Sequence, residues 1–291
     1  MVEARSDILV NIPDDQLPKL ATLYETKATW APYMVSFVHM GIRWKKLEKY
    51  RDVITFMSPN NSWEEDGTIV AILQSSRHDL VVFTLDDQCT NLYEGLMKTN
   101  LIDYRKRVMF FNLHEKHIPA VMKYIEDKKL NISEDTPCFI YAMSPEDAKK
   151  LTIECPPDIY VDKLELSMTK QVNTAWPHRF EGSENYVSTF IETNGGYGVF
   201  LKATNELVAW GLNHTLGHLG LLQTAERHKK KGYGSLIARV LSKEIGEGGH
   251  WPVGTVLVDN KVSMKMFEKM GFRNIGICTF ITIENTAKLP T

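Results

Sequence analysis

Three β-prone runs stand almost back to back between Gly198 and Gln223, and they restrict the fold more than any other stretch. They are Gly198 to Ala203, Leu207 to Asn213 and His218 to Gln223. The links between them, Thr204-Asn205-Glu206 and His214 to Gly217, suit antiparallel hairpins, whereas a parallel connection needs about a dozen residues or more. The pattern then changes. Tyr233, Leu236, Ile237, Val240, Leu241 and Ile245 recur at helical spacing until Gly246, Gly248 and Gly249 end the helix. Val253 to Val258 is a β-branched strand, Ser263 to Met270 a helix stopped by Gly271, and Ile275 to Ile283 a closing strand. Strand, helix and strand in succession imply a parallel crossover inside an otherwise antiparallel sheet.

Upstream, Cys155-Pro156-Pro157-Asp158 forbids a continuing helix and marks a seam between domains. After it come a strand from Tyr160 to Leu166 and two helices, about Thr169 to Arg179 and Glu184 to Glu192. Before it, helical spacing runs through Leu17, Leu20, Leu23 and Tyr24 and again through Met34, Phe37, Val38 and Ile42. Short β-type runs follow at Val53 to Met57, Thr68 to Leu73, Leu80 to Leu85, Val108 to Phe111 and Phe139 to Tyr141, with a helix-like stretch at Leu92, Leu96 and Leu101. The expected class is α/β (α+β), a mixed, mostly antiparallel sheet with flanking helices. The first half shows no constellation of catalytic residue types.

Charge and cysteine usage narrow the partners. Among 291 residues, 34 Lys and Arg balance 36 Asp and Glu, a formal net charge of -2, so no global excess of positive charge points to nucleic acid. Cys89, Cys138, Cys155 and Cys278 lack C-x-x-C spacing, so neither a zinc site nor a disulfide framework is indicated, and no metal is expected. The most apolar uncharged run, Ala28 to Ile42, falls short of the roughly 20 residues that span a bilayer and contains Pro32 and His39; it reads as a core helix, and no membrane is expected. The acidic N-terminus lacks signal and transit patterns, which makes the cytoplasm the default, with the mitochondrion an alternative.

The loop before the long helix, His228-Lys229-Lys230-Lys231-Gly232-Tyr233-Gly234-Ser235, places two glycines between a strand and a helix. Glycine lets successive N–H groups converge and a ligand approach the main chain, and the first helical turn offers unpaired donors and the positive dipole end. An anion is the natural guest. Neither the Walker pattern nor the three-glycine dinucleotide fingerprint is present, and a solvated helix start is the simpler alternative. Gly195-Gly196-Tyr197-Gly198 enters a strand with no helix behind it and reads as a tight turn.

From Leu207 to Phe272 the chain resembles the acyl-CoA-binding half of a GNAT-type N-acyltransferase. That family's signature is Arg/Gln-x-x-Gly-x-Gly/Ala between its fourth strand and the following helix. Lys229-Lys230-Lys231-Gly232-Tyr233-Gly234 is its counterpart, with lysine in the Arg/Gln position. The later Asn-x-x-Ser and Gly-Phe elements match Asn260-Lys261-Val262-Ser263 and Gly271-Phe272. The stretches LELSMTKQVNTAW, FIETNGGYGVF and LVAWGLNHTLGHLGLLQTAERHKKKGYG look most like the glycine N-acyltransferase-like branch, well matched over about Leu164 to Phe272 and weakly before the Pro-Pro seam. The resemblance implies a GNAT-like fold with two tandem GNAT-like domains: a degenerate one over 1–155 and an acyl-CoA-binding catalytic domain over 156–291.

It also implies an activity: transfer of an acyl group from acyl-CoA or acetyl-CoA to a small-molecule amine acceptor, glycine or another amino acid, by direct attack with a general base. Main-chain N–H groups from Lys231 through Gly232, Tyr233 and Gly234 to Ser235 would hold the pyrophosphate, with Lys229, Lys230 and Lys231 adding charge. The strand backbone at Leu222, Gln223 and Thr224 would line the pantetheine and polarise the thioester carbonyl. Asn260 would lie near the cofactor, or simply cap a helix. The branch's catalytic glutamate has His218 as its counterpart, fourteen residues before Gly232; an unperturbed pKa of about 6.5 suits a general base, while a hydrogen-bonded strand residue is the alternative. His214, expected in solvent beside the hairpin turn, and Glu226, more simply a helix-capping or surface residue, are the alternative bases. The family's tyrosine general acid is replaced by Phe267, read as a core residue. Trp210, Phe200 and Tyr197 could line a pocket, but are more simply core. A non-catalytic CoA-binding protein and, more weakly, a nucleic-acid binder using Arg227 to Lys231 remain open.

Overall fold

The computed structural model describes residues 7–75 and 77–284. In chain order the elements are β1 (Leu9–Asn11), α1 (Leu17–Lys27), α2 (Tyr33–Lys45), β2 (Ile54–Pro59), α3 (Trp63–Asp66), β3 (Ile69–Gln74), β4 (Arg77–Phe83), α4 (Thr90–Lys98), β5 (Arg107–His114), α5 (Ile118–Asp127) and β6 (Ile132–Ala142). They continue with α6 (Pro145–Lys149), β7 (Ile159–Lys163), α7 (Thr169–Ala175), α8 (Ser183–Thr193), β8 (Gly196–Leu201), β9 (Leu207–Asn213), β10 (Leu219–Thr224), α9 (Tyr233–Glu247), β11 (Val253–Leu257), α10 (Lys261–Met270) and β12 (Arg273–Ile283). Apart from the short helices α3 and α6, the order β-α-α-β-β-β-α-β-α-β occurs twice. The chain forms two compact units, one with residues 7–30, 41–138 and 276–284, the other with 31–40 and 139–275.

In the first unit β1 to β5 lie in chain order and β12 flanks β5. All these pairs are antiparallel except β4 with β5, which are parallel through Arg77↔Arg107, His78↔Val108, Asp79↔Met109 and Leu80↔Phe110. Its core joins Val70, Leu80, Val82 and Phe110 to Leu92 and Leu96 of α4 and Val121 and Tyr124 of α5.

The second unit contains the antiparallel sheet β10-β9-β8-β7. The short links expected to form hairpins do so. Helix α9 lays Ile237 and Leu241, fully buried, against Val199, Val208 and Ala209, with Val256 and Phe267 in the same core; each such side chain is worth about 1.5–3 kcal/mol of burial.

Elements fall close to the sequence expectation, with differences of local origin. The apolar run from Ala28 becomes helical only at Tyr33, after Pro32, because proline disfavours helix in the residue before it. The helix expected to reach Arg179 ends at Ala175, and Trp176, which precedes Pro177, is extended for the same reason. The strand from Tyr160 stops at Lys163, with a 3-10 turn at Leu166–Met168. Helix α5, with Pro119 in its first turn, was not expected. Among the described residues no helix is long and apolar enough to cross a membrane.

Candidate functional site

The second unit contains a cleft built by strand divergence. Strand β10 is the edge of its sheet, and its parallel contact with the chain entering β11 is the single bridge His218↔Val253. The strands run in the same direction from that bridge, and among the described residues no further pairing joins them. Ligands of α/β sheets settle in such crevices at the carboxyl ends of the strands. The register of β10 against β9 shifts between Gly220 and Gln223, where Leu221 adopts a φ of 50°. This bulge turns main-chain groups out of the ladder beside the cleft. Leu222, Gln223 and Thr224 follow it, all partly exposed.

Helix α9 opens at the end of β10. Gly232 is its N-cap in the left-handed region, φ 84° and ψ -1°. A Cβ added there would meet nothing within 4 Å, and one on Gly234 would meet only Thr224 Oγ1 at 3.4 Å. The first helical bond runs from Leu236 N–H to Gly232 C=O, 3.0 Å. No N–H from Lys231 to Ser235 donates to a main-chain carbonyl outside the helix among the described residues. The donors and the space in front of them are those an anion requires.

The side chains of the loop are disposed unequally. Lys229 Nζ lies 2.6 Å from Glu226 Oε2, an exposed pair of little energetic weight. Lys231 Nζ lies 3.5 Å from His228 Nδ1, and Arg227 pairs with Glu206. Lys230 takes a φ of 64° and is exposed. Tyr233 turns its ring into the core, and burial raises its pKa, helped by the charge of Asp158. Ser235 Oγ faces Met270 Sδ at 3.7 Å. Asn260 follows β11 and caps α10, its side chain accepting from Ser263 N–H at 3.1 Å.

His218 lies at the apex of the cleft. It is buried, its carbonyl accepts from His214 N–H at 2.8 Å, and its own N–H donates to Thr215 C=O at 3.2 Å. Burial alone lowers its pKa to about 3, so the ring is neutral at physiological pH. The expectation for His214 is corrected. It is buried, its ring stacked on Phe190 with centroids 4.1 Å apart and 5.4 Å from Tyr186, because the Thr215–Gly217 turn folds it back onto α8. Phe267 is buried, stacks on Tyr141 and meets Phe272 edge-on, and Trp210 and Phe200 are also core.

The first repeat offers a contrast that the sequence did not reveal. Its β4–β5 pair is laddered over four residue pairs rather than one. Beyond the ladder Trp30 stacks on Phe83, centroids 5.0 Å apart, and touches His114 at 4.5 Å, while His117 Nε2 lies 3.0 Å from Thr84 O. Cys89 holds the left-handed N-cap of α4, φ 54°, where the second repeat has Gly232. Asp86 accepts from the N–H groups of Gln88 and Thr90 at 3.0 and 2.9 Å, and these bonds lower its pKa. The helix start that is open in the second repeat is filled by the protein's own carboxylate in the first.

The doubled element order, the bulged edge strand and the open helix start define a class, the GNAT fold in tandem. Residues 196–281 match the family described as FR47-like protein, and residues 8–124 match a domain of unknown function, DUF5645. No curated protein matches the sequence. Among solved structures, a Drosophila protein is similar at 22% identity and a TM-score of 0.88, covering 96% of this chain and 99% of its own. A GCN5-related N-acetyltransferase from Sphaerobacter thermophilus is similar at 9% identity and a TM-score of 0.56, over 95% of this chain and 96% of its own. A tandem GNAT protein from the clavulanic acid biosynthesis pathway is similar at 8% identity and a TM-score of 0.54, over 97% and 99%. These structural likenesses show the GNAT fold.

Proposed function

We propose that the protein transfers an acyl group from a coenzyme A thioester to the amine of a small acceptor, glycine or another amino acid, as a member of the glycine N-acyltransferase-like branch. The observation that carries this is the unobstructed, glycine-lined start of α9 at the mouth of the parted strands β10 and β11. Residues 156–291 form the catalytic domain in this assignment, and 1–155 a degenerate copy whose own cleft is filled by Asp86 and Trp30. One CoA binds per chain.

The N–H groups of Lys231 to Ser235 hold the pyrophosphate, and Lys229, Lys230 and Lys231 supply charge around it. The backbone of Leu222, Gln223 and Thr224, beside the bulge at Leu221, lines the pantetheine and polarises the thioester carbonyl. Asn260, the cap of α10 after β11, lies near the cofactor in this assignment. As the amine nitrogen bonds to the acyl carbon and the C–S bond breaks, His218 takes the proton. Neutral imidazole is the form that can accept one. The thiolate leaves without a tyrosine acid, which is tolerable for a thiol of pKa about 8.5.

Release of free thiol from a panel of acyl-CoAs with amino-acid acceptors tests the assignment, and no release with any pair would overturn it. The burial of Phe267 where the family has a tyrosine favours one other function, CoA binding without turnover. Tight CoA binding with no thiol release is its signature.

A further inference from the structure

A base buried as deeply as His218 needs a way to pass its proton to solvent. The hydroxyls of Ser36 and Thr215 are both buried and have no hydrogen-bond partner among the described residues. Such groups are costly unless something engages them. They belong to one small region of the second unit. Segment 31–40, the first part of α2, is in that unit although it lies about a hundred residues upstream in the chain. A Cβ on Gly217 would lie 3.3 Å from Ser36 Oγ and 3.4 Å from Trp251 O, so the turn before His218, helix α2 and the approach to β11 meet there. Thr215 opens that turn, and its carbonyl accepts from His218 N–H. The turn holds Leu216 at a φ of 66°, a strained conformation for leucine of the kind kept at working sites.

The region reaches toward solvent through two more imidazoles. His39 is one helical turn beyond Ser36, and so on the same face of α2, and its ring lies 5.3 Å from that of His250, the neighbour of Trp251. Both are half-buried. Tyr33 presents an edge to His218 at 6.3 Å, and His214 bonds the His218 carbonyl; burial is the sole cause of the low His218 pKa.

We propose that Ser36 and Thr215 form a proton relay from His218 to the His39–His250 pair, and from there to buffer. The inference rests on the acyl-transfer function above with His218 as acceptor. The proton taken from the amine leaves His218, passes through the hydroxyls across bridging waters, and appears on His39 or His250. No electron is transferred. A hydroxyl can accept a proton on one side while releasing one on the other, and a desolvated imidazolium gives its proton up readily.

The test is thiol release at saturating acyl-CoA and acceptor, in dilute buffer and with added imidazole. The His39→Gln/His250→Gln variant should lose about 10-fold or more in kcat in dilute buffer, recover with imidazole, and keep its KM for acyl-CoA. Ser36→Ala/Thr215→Val removes two buried unpartnered hydroxyls, so its melting temperature should hold or rise while kcat falls. Full kcat in dilute buffer for either double variant, or a loss that imidazole does not restore in the histidine variant, would overturn the relay. His218→Ala separates the layers. Inactive His218→Ala beside fully active relay variants removes only the relay, whereas wild-type turnover in His218→Ala, or no turnover by the wild type, removes the relay together with the assignment it rests on.

Discussion

Replacing Gly234 by alanine should stabilise the protein and at the same time weaken its hold on CoA. Gly234 lies in the first turn of α9, outside the left-handed region, and its added Cβ meets only Thr224 Oγ1 at an ordinary 3.4 Å. Alanine in place of glycine within a helix is worth about 0.5–1 kcal/mol. For a chain of this size that is a rise of about 1–4 °C in melting temperature. The same methyl stands in front of the free N–H groups that would contact the pyrophosphate, so CoA affinity should fall about 10-fold or more, equivalent to about 1.4 kcal/mol. Gly232→Ala should also weaken CoA but destabilise by about 1–2 kcal/mol, because the left-handed N-cap is unfavourable for a residue with a Cβ. Calorimetric titration with CoA and thermal melts measure both quantities. A Gly234→Ala protein that melts higher and binds CoA as tightly as the wild type would refute the anion cradle.

His218→Ala should abolish turnover with CoA affinity retained, and the wild-type pH–rate profile should show no His218 limb above pH 5, since burial holds that ring near pKa 3; wild-type rates in the variant would remove the histidine from the mechanism. His114, His117 and His218 are held to about 3, 4 and 3 chiefly by burial, so between about pH 4 and 6.5 the unfolded chain binds protons that the folded chain refuses. Stability should therefore drop on acidification through that window, by up to about 1.4 kcal/mol per pH unit for each histidine, and a flat denaturation midpoint from pH 7 to 5 would contradict this. Asp86→Ala should cost about 1 kcal/mol through loss of its cap to α4 while calorimetry still counts one CoA per chain; a second CoA in the wild type would show that the first repeat's cleft is usable. Gly220→Ala places a Cβ 2.4 Å from His214 Cβ and should destabilise by about 1–3 kcal/mol, seen as a lower urea midpoint.

The local signals were legible because they depend on neighbours in the chain. Short links forced β8, β9 and β10 into hairpins, helical spacing placed α9 and α10, and Gly232 and Gly271 marked where helices start and stop. The candidate CoA loop was legible for the same reason, since a strand, two glycines and a helix make an anion-facing helix start from backbone geometry alone. Pro32 and Pro177 show the same logic where the expected boundaries moved.

Tertiary structure decided what these elements face. No sequence rule puts Leu221 or Leu216 in the left-handed region; the bulge of β10 and the turn before His218 are imposed by packing, and together they shape the cleft. His214 looked like a solvent residue beside a turn and became a ring stacked on Phe190, because only the fold brings α8 over that turn. Asp86 gave no sign in the sequence that it would occupy the helix start that Gly232 and Gly234 leave open in the other repeat. Ser36 comes to Gly217 across most of the chain. Local pattern alone was enough to place a glycine-opened helix start after β10. Burial, strand divergence and packing between distant segments, which no local pattern encodes, decided that one of the two helix starts is open and that His218, at the other end of β10, is buried and neutral.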